Sequence, residues 1–207
     1  MENSAETERA LIIPMYLNTQ TSSIVIRVSL LTDFHDTLFK GNVFKELVKV
    51  LFEKSGYLVI PYGYENQLSS VKGELAKTNN SPTALKIRSS PDLLIYDNQT
   101  KDVKLVEVKM SSYESPRLNR NVFENYRKFW DDAILIMVLP FESVFYAQEM
   151  HNLGLKDQYD PRTDFKKVQD IFQRLNTNDL KNYGKIARNL IEAMKKNPHD
   201  EPEKQLQ

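Results

Sequence analysis

The chain has no cysteine among its 207 residues. That excludes a disulfide framework and any thiolate-ligated metal site. Its three histidines, His35, His151 and His199, are scattered without metal-ligand spacing. Neither a histidine-built metal centre nor a Ser-His-Asp triad can be argued from them. Glycine is scarce, with six residues, and the one Gly-Lys pair, Gly184-Lys185, lacks the earlier glycine of a phosphate-binding loop. No apolar run approaches the ~20 residues that cross a bilayer. The opening MENSAETERA is polar and acidic, unlike a secretory signal. These absences predict an intracellular, cytoplasmic protein with no membrane partner.

Net charge is missing as well: 28 Lys and Arg balance 28 Asp and Glu. The balance is local rather than uniform. Residues 1–39 carry two basic and five acidic side chains, residues 40–130 carry 15 and 10, and residues 131–207 carry 11 and 13. The central segment is therefore the basic one, which is where a polyanion would be met. What the chain does contain is a core: 41% hydrophobic and 27% charged residues, the balance of a globular α/β domain.

Local patterning orders that domain. Leu11–Leu17 and Ile24–Leu31 are β-rich runs around the polar 18–23, an N-terminal hairpin. Residues 32–39 read as a connector. In KGNVFKELVKVLFEKSGY the residues Val43, Phe44, Leu47, Val48, Leu51 and Phe52 recur at helical spacing, and Gly56 stops the helix. Tyr57–Tyr64 is a strand whose Pro61 marks an edge or an end. Residues 65–90 are polar and long for a loop. Pro91–Asp97 and Asp102–Met110 are strands around a turn at 98–101. Leu118–Trp130 carries an apolar helical stripe, and AILIMVL at 133–139 is a strand buried on both faces. Beyond Pro140 the pattern predicts helices over Glu142–Leu153, Asp164–Leu175 and Asp179–Lys196, the last capped by Asp179. The boundaries that follow are a hairpin extension at 1–39, a core at 40–139, a helical extension at 140–197 and a disordered tail at 198–207.

The chemistry sits in the central strands. Pro91-Asp92 opens one strand and Glu107-Val108-Lys109 closes the next. Alternate strand residues share a face, so Glu107 and Lys109 emerge together, and a neighbouring strand brings Asp92 to them. Two carboxylates can hold a magnesium ion that keeps its waters and takes up a substrate phosphate. The carbonyl of Val108 could add a ligand. Lys109 could orient or deprotonate water, or donate to a phosphate carrying extra charge. Lys86, Arg88, Arg117, Arg120, Arg127 and Lys128 are candidate phosphate contacts along a nucleic acid. Tyr126 is a candidate accessory residue on the helix after Lys109, in competition with a plain core role.

KGNVFKELVKVLFEKSGYLVI, PDLLIY, VKLVEVKM, the helix around ENYRKFW and the strand AILIMVL together resemble the PD-(D/E)XK nuclease superfamily. The resemblance covers residues 40–139, about half the chain. It implies a restriction-endonuclease-like αβββαβ core, a mixed four-stranded sheet flanked by helices. It implies Mg²⁺- or Mn²⁺-dependent hydrolysis of DNA phosphodiesters, with Asp92 and Glu107 as metal ligands and Lys109 as the catalytic lysine. Resolvase-like members of the superfamily imply a homodimer acting on duplex or branched, Holliday-junction-like DNA in recombination, repair or replication. The small size with extra helices is similar to nucleases of archaeal viruses, which would place the protein in a host cytoplasm. Related proteins often carry a Glu four residues after the helix-opening glycine; here that position is Lys45, and Glu46 is the acid expected to complete the metal site, with Glu53 next. Two other readings compete: a catalytically inactive nucleic-acid-binding or assembly protein that retains the fold, and a metal-dependent phosphohydrolase acting on small molecules.

Overall fold

The computed structural model describes residues 9–17, 20–28, 33–64, 81–111 and 118–195, together with 74, 77, 78 and 116, and side chains between residues 41 and 194. The chain divides into two compact units, residues 1–40 and 41–207. In the first, β1 (Arg9–Leu17) and β2 (Gln20–Val28) pair antiparallel from Arg9 opposite Val28 to Leu17 opposite Gln20. The expected hairpin is there, but its strands pair up to a shorter connection than the polar 18–23 predicted. Thr21, Ser22 and Ser23 can use their backbone groups in a ladder as well as in a turn.

Helix α1 (Asp33–Lys54) starts seven residues before the expected core. All six residues of its predicted stripe are buried, from Val43 at 7% to Val48 and Leu51 at 0% exposure. Gly56 ends it with a φ of +84°, a conformation that disfavours a side chain. The site end of the second unit is then built by β3 (Leu58–Pro61), α2 (Pro82–Arg88), β4 (Leu93–Asp97), β5 (Asp102–Met110) and α3 (Arg120–Phe129). Helix α2 falls inside the polar stretch read as a loop. Ser81 caps it by accepting the Ala84 N–H, and Pro82 sits in its first turn, where no N–H is needed.

The six strands of the main sheet are ordered β3-β4-β5-β6-β7-β8, where β6 is Ile134–Leu139, β7 is Val144–Glu149 and β8 is Lys166–Lys167. β5 and β6 (Ile134–Leu139) are parallel, joined through α3, and every other pair is antiparallel. The β3-β4-β5-β6 portion is the expected mixed four-stranded sheet, with β3 and its Pro61 at the edge. β6 is buried along all six residues, as an all-apolar run predicts. On one face Leu135, Met137 and Leu139 pack with Phe123 and Tyr126 of α3, and with Met150, Tyr159 and Phe165.

The region after Pro140 corrects the sequence reading. Glu142–Leu153 is not a helix: Val144–Glu149 forms β7, antiparallel to β6, and Met150–Asn152 makes one 3₁₀ turn. Phe145 and Ala147 are buried while Val144 and Tyr146 are half-buried, a period of two. Asp164–Leu175 is not continuous helix either. It breaks into α4 (Pro161–Asp164), the two-residue β8 (Lys166–Lys167) and α5 (Val168–Ile171). The last helix, α6 (Thr177–Lys195), is as expected but is capped by Asn176, whose Oδ1 accepts the Asp179 N–H at 2.8 Å. Asp179 lies in the first turn and pairs with Lys54 at 2.6 Å. Gly184 lets α6 approach the turn before β7, because a Cβ there would stand 2.1 Å from the Ser143 carbonyl oxygen. Residues 1–8 and the tail at 198–207 lie outside the described residues.

Candidate active site

Strand register assembles the site. Leu93 opposes Val106, so Asp92, one residue earlier, stands across from Glu107 on the same face of the sheet. Asp92 is fixed twice over. Its backbone carbonyl accepts the N–H groups of Tyr62 (2.8 Å) and Gly63 (3.2 Å) at the end of β3. Its carboxylate oxygen Oδ2 accepts the Val108 N–H at 2.9 Å. This contact brings the backbone N–H of Val108 to the site. The Val108 side chain is buried on the opposite face.

Glu107 is 1% exposed and Asp92 8%. Lys109 Nζ lies 2.5 Å from Glu107 Oε1, and the other carboxylate oxygen, Oε2, is buried with no hydrogen-bond partner. Burial, reinforced by the Asp92 charge, pushes the Glu107 carboxyl up to about 7, against the opposing pull of Lys109 and a hydrogen bond from Tyr126. Burial acts to lower the Lys109 ammonium, but the adjoining Glu107 carboxylate outweighs it and the net shift is upward. The Lys109 side chain keeps 39% exposure and its Nζ sits 5.8 Å from the centre of the Tyr126 ring. Tyr126 is therefore both a core residue, 7% exposed, and part of the site.

These groups line a polar cleft of about 220 Å³ whose walls also include Lys45, Gly63, Tyr64, Arg88 and Ser90. An adjoining apolar hollow of about 250 Å³ shares Glu107, Lys109 and Tyr126 and is otherwise lined mainly by Leu118, Val122, Phe123, Leu135 and Met150.

Glu46 does not join the cleft. Its side chain is 54% exposed and pairs along the helix with Lys49 at 2.8 Å; Glu53, the next candidate, is also exposed and lies 4.0 Å from the same lysine. The helix residue that reaches the site is Lys45, whose Nζ lies 2.7 Å from Asp92 Oδ1. The reason is rotational. At about 100° per residue, Glu46 falls roughly 150° from the centre of the buried stripe and Lys45 roughly 110°, on the flank next to the sheet. Lys45 was legible as the residue four positions after Gly41, but an acid was sought there.

Of the candidate phosphate contacts, Arg88 lines the cleft. Lys86 lies over the Trp130 ring at 5.3 Å, and its carbonyl accepts the indole N–H. Arg120 pairs with Glu124 at 3.1 Å on the exposed side of α3, and Lys128 stands 5.1 Å from the Phe129 ring centre. Arg127 is half-buried on the same helix. Arg117 lies outside the described residues.

Among the described residues no group of three His, Cys, Asp or Glu side chains is placed to hold a metal. Asp92 and Glu107 are the pair available. A buried carboxylate oxygen without a partner, on a residue that stands across from a second carboxylate, fits a cation, and two carboxylates suffice for magnesium. No helix among the described residues is long and apolar enough to cross a membrane.

No family model matches the sequence, and no curated protein sequence matches it. Among solved structures, the chain is similar to Hjc, a Holliday junction resolvase from the archaeal hyperthermophile Archaeoglobus fulgidus. The match covers 64% of this chain and 94% of that one, with a TM-score of 0.42 and 16% identity.

Proposed function

We propose that this chain is a divalent-metal-dependent nuclease that hydrolyses DNA phosphodiester bonds, in recombination, repair or replication, and that branched DNA is its substrate class. One observation carries the reading. The buried Glu107 carboxylate has one oxygen without a partner, stands across from Asp92, and opens with Lys109 onto a polar cleft. Asp92 and Glu107 would hold one Mg²⁺ or Mn²⁺ ion. Such an ion, when bound, supplies Lewis-acid polarisation of a phosphate and makes water more acidic. The rest falls to the chain's own side chains. Tyr126 holds Glu107 in place through its hydrogen bond. Lys109, accessible from solvent and paired to Glu107, donates to a phosphate oxygen or orients the attacking water. Arg88, on the cleft wall, binds the DNA backbone. A homodimer, implied by the sequence resemblance, would present two such clefts to a branched substrate.

A second reading, a DNA-binding protein without catalysis, is favoured by a specific contact: Lys45 occupies the helix position where an acid was expected and is already paired with Asp92. One experiment separates the two. The purified chain is incubated with linear duplex, single-stranded and four-way-junction DNA, in Mg²⁺, in Mn²⁺ and in chelator, beside Glu107→Ala. The nuclease reading expects cleavage that needs the metal and is lost in Glu107→Ala. Binding without cleavage in every metal condition would establish the second reading instead.

A further inference from the structure

Lys45 is a site residue that the expected nuclease constellation does not contain. It projects from α1 to within 2.7 Å of Asp92 Oδ1, with 30% of its side chain exposed, while the Asp92 carboxylate is 9% exposed. The other oxygen of Asp92 already accepts the Val108 N–H. In the same cleft, Lys109 pairs with one oxygen of Glu107 and leaves Oε2 without a partner. The two carboxylates are thus treated unequally: Asp92 has a donor on each oxygen, and Glu107 has an oxygen to spare.

We propose that Lys45 is the resident counter-ion of Asp92, which a divalent cation must displace before Asp92 and Glu107 can share it. This rests on the metal-site reading above and assigns Lys45 a positioning and regulating role in it. The physical argument is competition for one oxygen. An ammonium at 2.7 Å already offsets the charge on Oδ1, and a dication at the same oxygen would stand against that positive charge, so metal binding favours breaking the ion pair and leaving Lys45 to water or to another anion. The half-exposed stem permits the displacement, because the head can swing into the cleft without opening the core. Metal affinity in the absence of DNA is therefore set low by the chain itself.

The test is a titration of the full chain with Mn²⁺ alone, in the absence of DNA, read by calorimetry or by the loss of the free-ion electron paramagnetic resonance signal. Wild type is compared with Lys45→Met, Lys45→Arg and Asp92→Asn. Lys45→Met keeps the length of the stem and removes the charge. It is expected to tighten Mn²⁺ binding by roughly tenfold, a coupling of ordinary size between competing ligands. Lys45→Arg keeps the charge and should bind as wild type does; Asp92→Asn should lose the site. Equal or weaker affinity in Lys45→Met, with a thermal unfolding profile like wild type, overturns the counter-ion role while leaving the metal site standing. Binding unchanged in Asp92→Asn would instead overturn the metal-site reading itself, so the two failures are distinguishable.

Discussion

The β4–β5 hairpin carries a charged cluster at each end, and the two are built in opposite ways. At the turn, Asp97 Oδ1 accepts the Gln99 N–H at 2.9 Å and Arg174 Nη1 at 2.9 Å. Arg174 also donates to Asn98 Oδ1 at 2.9 Å, gives its backbone N–H to the Tyr57 hydroxyl at 3.3 Å, and lies 5.0 Å over the Tyr57 ring. The Gln99 N–H, with Arg174 behind it, holds the Asp97 carboxyl below its ordinary range. At the other end Glu107 is more deeply buried, has an oxygen without a donor and is pushed up to about 7. A saturated charge cluster ties elements together. An unsaturated one costs stability, and such costs collect at functional sites. Acid-base pairs alone would not have told the two ends apart; the buried Glu107 oxygen without a donor does.

Substitutions at the two ends should have opposite effects. Glu107→Ala should lower metal-dependent cleavage at least about a thousandfold, the scale of losing several kcal/mol of charge stabilisation, with a melting temperature no lower than wild type. Arg174→Ala should do the reverse: a melting temperature lower by roughly 5 °C and cleavage per folded molecule unchanged. If both variants lose stability and neither loses cleavage, the two ends of the hairpin are alike.

A smaller effect concerns pH. Glu107 has a folded pKa above its unfolded value, so the metal-free native state retains a proton that the unfolded chain has released between about pH 4.5 and 7. Stability therefore falls as pH rises through that window. Glu107→Gln removes the titration and should stabilise the metal-free chain by on the order of 2 kcal/mol at pH 8, with no gain at pH 4. Denaturant unfolding at the two pH values reads this. An equal effect at both would show that burial of Glu107 carries no charge penalty. The smallest effect belongs to Glu46. Its exposed pair with Lys49 should be worth less than about 0.5 kcal/mol, and Glu46→Ala should leave cleavage and Mn²⁺ affinity unaltered.

The parts of the molecule that were legible in the sequence share a physical cause. The stripe of α1, the all-apolar β6 and the alternation that places Glu107 beside Lys109 are each dictated by a single period and confirmed by burial. The misread parts had two periods in play. Phe165, Val168, Phe172 and Leu175 are spaced three and four apart, like a helix, and all are buried; yet β8 and two short helical turns deliver them, because the chain there closes the edge of the sheet against β7. Val144–Glu149 holds Ala, Gln and Glu, good helix formers, and its period of two runs for only a few residues before the 3₁₀ turn. Asp92 and Glu107 fell together as the register required. The helix contribution was misjudged because which flank of α1 meets the sheet edge depends on tertiary packing, and that selected Lys45 over Glu46.

The central claim is that Asp92 and Glu107 share one cation. Anomalous diffraction from crystals of the full chain soaked in Mn²⁺ tests it most directly. A single manganese peak within about 2 Å of an oxygen from each carboxylate, with Lys45 moved off Asp92, is the predicted result. Crystals that take up manganese elsewhere on the chain, with the Lys45–Asp92 pair intact and nothing between the two carboxylates, would contradict it.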